Sequence, residues 1–62
     1  MEDYIIVYYY SKKDRCWIAE SRNEENQAIE TVKSYTENGI KERAKELGKK
    51  YDALRISKTD IN

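Results

Sequence analysis

The sequence predicts an α+β fold, in which a three-stranded antiparallel sheet packs on one C-terminal amphipathic helix and a short extended segment follows. Two runs rich in β-branched and aromatic residues, Tyr4–Tyr10 and Cys16–Arg22, flank the polar stretch Ser11–Asp14, which is typical of a β-hairpin. Further along, Ile40–Tyr51 places its apolar residues on one narrow face of a helix. With 62 residues, the chain has room for a single domain with one small core.

The first predicted strand contains three consecutive tyrosines, and two uses are open for them. Tyr8 and Tyr10 are candidates for stacking on nucleic-acid bases, because aromatic rings stack on any base. The more common use is structural: Tyr9, with Ile5 and Val7, fills the core while Tyr8 and Tyr10 flank it. Both interpretations assume a strand over this run.

The second predicted strand alternates clearly between two faces. Since successive strand side chains point to opposite sides, Trp17 and Ala19 share one face, while Ile18, Glu20 and Arg22 share the other. We expect the face of Trp17 to pack on the helix, with the indole ring in the core rather than at a ligand. The opposite face then presents a charged pair, and Arg22 there is either a phosphate contact or an ordinary solvated charge.

Gln27–Tyr35 can be a strand or a helix. As a helix it places Ala28, Ile29, Val32 and Tyr35 on one stripe, and the periodicity taken alone slightly favours this assignment. As a strand it divides the same residues between two faces, and its β-branched side chains favour that alternative. The sequence alone leaves both assignments open.

The helix over Ile40–Tyr51 is the clearest element. Thr36 or Asn38 can cap its start, and Leu47 lies at the centre of the apolar stripe. The segment after the helix alternates like a short final strand. We expect residues 58–62 to form a flexible tail of the same single domain.

The composition argues against an enzyme. The chain has no histidine, so neither a histidine-activated nucleophile nor a Cys/His zinc site can be built, and we expect no cofactor and no metal. Cys16 is the only cysteine, which suits a reducing, cytoplasmic setting. No apolar run approaches the ~20 residues of a membrane span, so we expect no membrane contact.

The second strand and the segment that follows resemble the AP2-type DNA-binding domain and the similar arm-binding amino-terminal domains of tyrosine integrases. That family's second strand carries an aromatic residue, a small pair, Glu, an apolar residue and Arg, and the corresponding residues here are Trp17, Ile18, Ala19, Glu20, Ser21 and Arg22. An aromatic residue before a Thr-started helix is matched by Tyr35 and Thr36. The resemblance covers roughly residues 8–56. It implies a three-stranded sheet whose face away from the helix lies in the major groove of DNA.

Together these observations predict a small non-enzymatic DNA-binding module, of a kind the resemblance associates with phages and mobile elements. The candidate residues for double-stranded DNA are Lys12, Glu20 and Arg22, which match the family's positions, together with Tyr8 and Tyr10. The alternative is a small protein-binding inhibitor or adaptor, also phage-like, acting through a tyrosine-rich sheet face. Twelve basic and twelve acidic residues balance each other, which suits a protein partner. An exposed edge of the first strand would also permit a homodimer.

Overall fold

The computed structural model describes residues 3–59, which form four strands and one helix. The elements in chain order are β1 (Ile5–Ser11), β2 (Cys16–Arg22), β3 (Ala28–Ser34), α1 (Glu37–Tyr51) and β4 (Ile56–Lys58). The α+β class and the single C-terminal helix packed on a sheet are therefore confirmed.

The sheet has four strands in the order β3-β2-β1-β4 and is mixed, whereas the sequence predicted three antiparallel strands. The two hairpin pairings are antiparallel, and β4 lies parallel to β1. The extended segment after the helix supplies the extra strand: Leu54 N–H donates to Tyr4 O (2.8 Å) and Thr59 N–H to Tyr8 O (2.9 Å). This corrects the tail prediction at Lys58, which belongs to β4, while residues 60–62 lie outside the described range.

The position of β1 also corrects the predicted route to a homodimer. β1 lies between β2 and β4, so both of its edges are already paired over the register Ile6–Tyr8. The expected exposed edge belongs instead to β3, which is the outermost strand on the other side of the sheet.

The segment that the sequence left open is a strand. β3 pairs with β2 in the register that joins Trp17 to Ser34 and Ala19 to Val32. Val32 packs against the core from this strand, whereas Ile29 is 42% exposed. The helical stripe would have buried Ile29, but pairing with β2 satisfies the backbone groups on the inner side of this segment and places Val32 against the core, which favours the strand.

α1 begins and ends at recognisable caps. The side chain of Thr36 accepts a hydrogen bond from Gly39 N–H (3.0 Å), as predicted for one of the two candidate caps. At the other end Asp52 takes a left-handed conformation and its N–H bonds back to the last turn. The predicted apolar stripe is confirmed, because Ile40, Ala44 and Leu47 are all buried.

The core lies between α1 and one face of the sheet, and β1 faces it differently from the prediction. Ile6 and Tyr8 point towards the helix, beside Ser21 and Ala19 of β2. Val7 is buried as expected, but Ile5, Val7 and Tyr9 alternate onto the opposite face, so the expectation that they fill the core beneath the helix is wrong. Trp17 and Ala19 face the helix as predicted.

Two close-packed positions fix how α1 sits on the sheet. Gly48 faces β4, where an added Cβ would lie 3.1 Å from Cδ1 of Ile56. Ser21 is fully buried beneath the helix, and its hydroxyl has no hydrogen-bond partner among the described residues. Small side chains at these places allow the helix to approach closely.

Candidate functional site

The turn between β1 and β2 carries three exposed cations, Lys12, Lys13 and Arg15. Ser11 holds this turn together, because its hydroxyl accepts from Asp14 N–H (3.1 Å) and donates to Oδ2 of Asp14 (3.3 Å). Arg15 then takes a left-handed conformation with φ of 55°, which returns the chain into β2. The polar sequence of the turn therefore presents its cations at the tip of the hairpin.

Strand pairing brings two further lysines to the same end of the molecule. Lys33 lies on β3 opposite Ile18, and Lys58 lies on β4 beside Tyr8. Lys58 Nζ lies 3.2 Å from Oε2 of Glu37, in the first turn of α1. We call this region the hairpin end and define its cations as Lys12, Lys13, Arg15, Lys33 and Lys58.

The aromatic residues of the hairpin end lie on the helix side of the sheet. The rings of Tyr10 and Trp17 meet edge to face, with centroids 5.5 Å apart, and Tyr10 remains 39% exposed. Lys58 Nζ lies 5.3 Å from the centroid of Trp17, within the range of a cation–π interaction. The hairpin end thus combines five cations with a partly exposed aromatic pair, and its carboxylates among residues 3–59 are Asp14 and Glu37.

Charge differs at the opposite end of the sheet. The β2–β3 loop there carries Glu24 and Glu25, and Asp3 N–H donates to Oε1 of Glu24 (3.2 Å). The long dimension of the molecule is 35 Å, against 20 and 15 Å across it. The turn between β1 and β2 is therefore basic, whereas the loop between β2 and β3 is acidic, although the net charge of the chain is zero.

Glu20 and Arg22 lie on the sheet face away from the helix, as predicted, but they bind each other. Arg22 donates to Oε1 of Glu20 from Nε (3.0 Å) and from its second terminal nitrogen (2.8 Å), and its first terminal nitrogen donates to Oδ1 of Asn26 (3.1 Å). All three nitrogens of the guanidinium group thus donate hydrogen bonds within the protein. Its charge is already compensated within the protein.

Tyr9 completes this network from β1. Its hydroxyl donates to Oε2 of Glu20 (2.8 Å), so both oxygens of that carboxylate accept hydrogen bonds. Two effects raise the pKa of Tyr9 to about 12: the larger is burial of the phenol, and the smaller is its hydrogen bond to the Glu20 carboxylate. The sequence did not predict this role, because Tyr9 was expected in the core.

The predicted site residues therefore fall into separate regions. Lys12 and Tyr10 belong to the hairpin end, while Glu20 and Arg22 lie on the open sheet face towards the other end. Tyr8 faces the helix and lines a surface groove of about 600 Å³ between α1 and β4, together with Asn38, Lys41, Glu42, Lys45 and Ile56. The three consecutive tyrosines do not form one surface, since Tyr9 points away from its two neighbours.

A second polar cluster joins β3 to the last turn of α1. Oε1 of Glu30 accepts hydrogen bonds from Nζ of Lys50 (2.8 Å) and from the hydroxyl of Tyr51 (2.6 Å). Both hydrogen bonds lower the pKa of Glu30, and the one from Lys50 has the larger effect. In turn, the hydrogen bond to Glu30 raises the pKa of Lys50 and that of Tyr51. The sequence could not indicate this cluster while the assignment of β3 was open.

Residues 3–59 contain no cluster of three or more His, Cys, Asp or Glu side chains placed to hold a metal ion. Within the same range, no helix is long and apolar enough to cross a membrane. Cys16 is buried at the start of β2.

Comparisons with protein-family models, with curated proteins and with solved structures found no match to this chain.

Proposed function

We propose that the protein is a small non-enzymatic DNA-binding module that contacts duplex DNA through its hairpin end. The observation that carries the proposal is the convergence of Lys12, Lys13 and Arg15 at the hairpin tip with Lys33 and Lys58 from the neighbouring strands. Affinity for DNA arises largely from cations that neutralise phosphates. Among residues 3–59, five cations and two carboxylates lie at this end, and one of the cations, Lys58, is paired with Glu37.

The shape of the hairpin end supports this proposal. The major groove of B-DNA is about 12 Å wide and admits a two-stranded β-ribbon. β1 and β2 are flanked by β4 and β3, so the part that can enter such a groove is the turn that joins them, which carries Lys12, Lys13 and Arg15 and lies beyond the last pairing with β3. The partly exposed ring of Tyr10 adds an apolar surface beside them.

The location differs in part from the one implied by the family resemblance, which assigns DNA contact to Lys12, Glu20 and Arg22: only Lys12 of these belongs to the hairpin end. Arg22 is held by Glu20 and Asn26, so it contributes little positive potential to the open sheet face. A phosphate at this position would have to compete with the carboxylate of Glu20. We therefore assign the main phosphate contacts to the hairpin tip.

The proposal is tested by titrating labelled duplex DNA at about 50 and 200 mM salt, a range over which counterion release is visible. We expect roughly three to four neutralised phosphates, and hence a log–log slope of affinity against salt near −3. The triple variant Lys12→Ala, Lys13→Ala, Arg15→Ala should reduce this slope by up to about 3 and abolish most of the binding.

A matched control removes the same number and type of cations elsewhere. Lys45, Lys49 and Arg55 are exposed and lie away from the hairpin tip, on α1 and before β4. Their triple alanine variant should retain most of the affinity and the salt slope. Equal losses in the two triple variants would refute a localised site, and absence of binding by the wild type at low salt would refute DNA binding.

Protein binding is the second candidate, and the open sheet face favours it. Glu20, Arg22 and Tyr9 form a charge-compensated network on this face, and Ile29 is 42% exposed beside it. Such a surface, aromatic and without excess charge, suits a protein partner better than a phosphate backbone. For an adaptor, Ile29→Lys should abolish binding of the partner and leave any DNA affinity unchanged.

A further inference from the structure

We infer that β3 is a self-association edge, through which two copies of this chain pair antiparallel about a two-fold axis at Val32. The inference is independent of DNA binding. β3 has seven residues, and no strand within residues 3–59 pairs with its outer edge. An unpaired edge of this length presents free backbone donors and acceptors to another strand.

The exposed apolar residues of β3 lie where such a pairing would cover them. Ile29 is 42% exposed near the start of the strand, and Tyr35 is 90% exposed directly after its end. In an antiparallel pair centred on Val32, residues whose numbers are equidistant from 32 face each other across the interface. The regular part of the pairing, from Glu30 to Ser34, then brings Ile29 of one copy, at the β-bulge of β3, close to Tyr35 of the other, directly after the strand, at both ends of the interface.

The same axis makes the helices complementary in charge. α1 runs antiparallel to β3, since Gly39 lies against Ser34 at one end and Lys50 binds Glu30 at the other. The middle of the helix is thus beside Val32, and the two exposed residues there are Arg43 and Glu46. The two-fold axis exchanges their positions, so Arg43 of each copy faces Glu46 of the other.

The spacing between the helices suits these two side chains. α1 lies across β2, flanked by β1 and β3, so the two helices of the dimer are separated by three strand spacings, or about 14 Å. Subtracting the helix radius of about 2.3 Å on each side leaves roughly 10 Å between facing Cα atoms. An extended arginine and glutamate together cover this distance, and they form the ion pair twice in the dimer.

A dimer would also compensate for the small size of the domain. A single core of this length is marginal, and association of folded copies stabilises the fold by mass action. In the dimer the sheet becomes continuous over eight strands. The hairpin ends lie at opposite extremes of it and remain accessible.

The test is a charge exchange followed by sedimentation equilibrium over a wide range of protein concentration. Arg43→Glu and Glu46→Arg each place like charges opposite each other, so either single variant should weaken the dimer about tenfold. The double variant should restore it, and so should an equimolar mixture of the two single variants, because the opposite charges then meet across the axis. Lys41→Glu and Glu42→Lys, at the other edge of the helix, should leave the dimer unchanged.

A second variant addresses the apolar contacts without risk to the fold. Tyr35→Lys changes a ring that is already 90% exposed, so the monomer should keep its melting temperature in dilute solution while the dimer dissociates. Leu54→Lys, at a side chain 68% exposed and distant from β3, is the matched control and should have no effect.

A wild-type protein that stays monomeric at every concentration overturns the inference. A dimer that survives both Tyr35→Lys and the single charge reversals overturns it as well.

Discussion

The hydroxyl of Tyr9 offers a direct test of the network on the open sheet face. The variant Tyr9→Phe keeps the ring and removes only the hydrogen bond to Oε2 of Glu20. Arg22 would still hold the other oxygen of the carboxylate through two hydrogen bonds. The change therefore isolates one contact in the network.

The expected loss of stability follows from the burial of the acceptor. A hydrogen bond to a charged group contributes about 1.5–3 kcal/mol when water cannot replace it. The side chain of Glu20 is 13% exposed, so water reaches the vacated oxygen only in part. We expect the free energy of unfolding to fall by about 1–2 kcal/mol, which for a domain of this size lowers Tm by roughly 8–15 °C.

The same hydroxyl makes the stability of the wild type depend on alkaline pH. Below pH 10 the phenol is protonated in both the folded and the unfolded chain. Between pH 10 and about 12 the unfolded chain releases the proton while the folded chain retains it, because the folded pKa is raised to about 12. Unfolding is then favoured, so the contribution of Tyr9 to stability is lost over this interval.

Two measurements check this reasoning. Denaturant unfolding of wild type and Tyr9→Phe should give curves whose stability difference shrinks between pH 10 and 12. Ultraviolet titration of tyrosinate should lose its most alkaline step in the variant. Tyr35→Phe, at a ring 90% exposed, serves as the control and should change neither result. A Tyr9→Phe protein as stable as the wild type at neutral pH would show that the Tyr9–Glu20 bond does not form in solution.

Two further substitutions test the packing of α1 on the sheet. Leu47→Ala removes a side chain that is 3% exposed at the centre of the helix face, and we expect a loss of about 2–5 kcal/mol in denaturant unfolding. A loss below about 1 kcal/mol would mean that this face is not the core. Ser21→Ala deletes a buried hydroxyl without a described partner, so thermal unfolding should show a stability gain of about 1 kcal/mol. A clear loss instead would mean that the hydroxyl is satisfied in solution.

The sequence predicted correctly those elements whose residue pattern is compatible with only one secondary structure and one buried face. β2 alternates between apolar and charged residues, so both its limits and its two faces were predicted correctly, including the pairing of Glu20 and Arg22 on one side. α1 likewise has one apolar stripe and one good cap at Thr36. In these segments local pattern and tertiary packing agree.

β1 was assigned to the wrong face for a physical reason. Nearly all of its side chains are apolar or aromatic, so the run contains no polar alternation that would distinguish the two sides. Only the register with β2, which places Tyr8 beside Ala19, decides that Tyr8 faces the helix and Tyr9 does not. A shift by one residue exchanges the faces of the whole strand.

The candidate site was predicted only in part, because it is assembled by strand pairing. Lys12 is visible as a turn residue, and Lys13 and Arg15 stand beside it in the sequence. Lys33 and Lys58 reach the same end only through the registers of β3 and β4. The first of these strands was ambiguous, and Lys58 had been assigned to a tail.

The parallel pairing of β4 with β1 has a consequence for how the protein opens. Ile6 N–H donates to Arg55 O (3.0 Å). An amide near the start of the chain, on a central strand, is therefore protected from solvent by a segment near its end. β4 has three residues, and detaching it disrupts few contacts compared with unfolding α1 or β2. Hydrogen exchange at Ile6 should therefore report the local release of β4 rather than global unfolding. Each such release transiently uncovers the edge of β1, so the last strand protects the first from pairing with other chains.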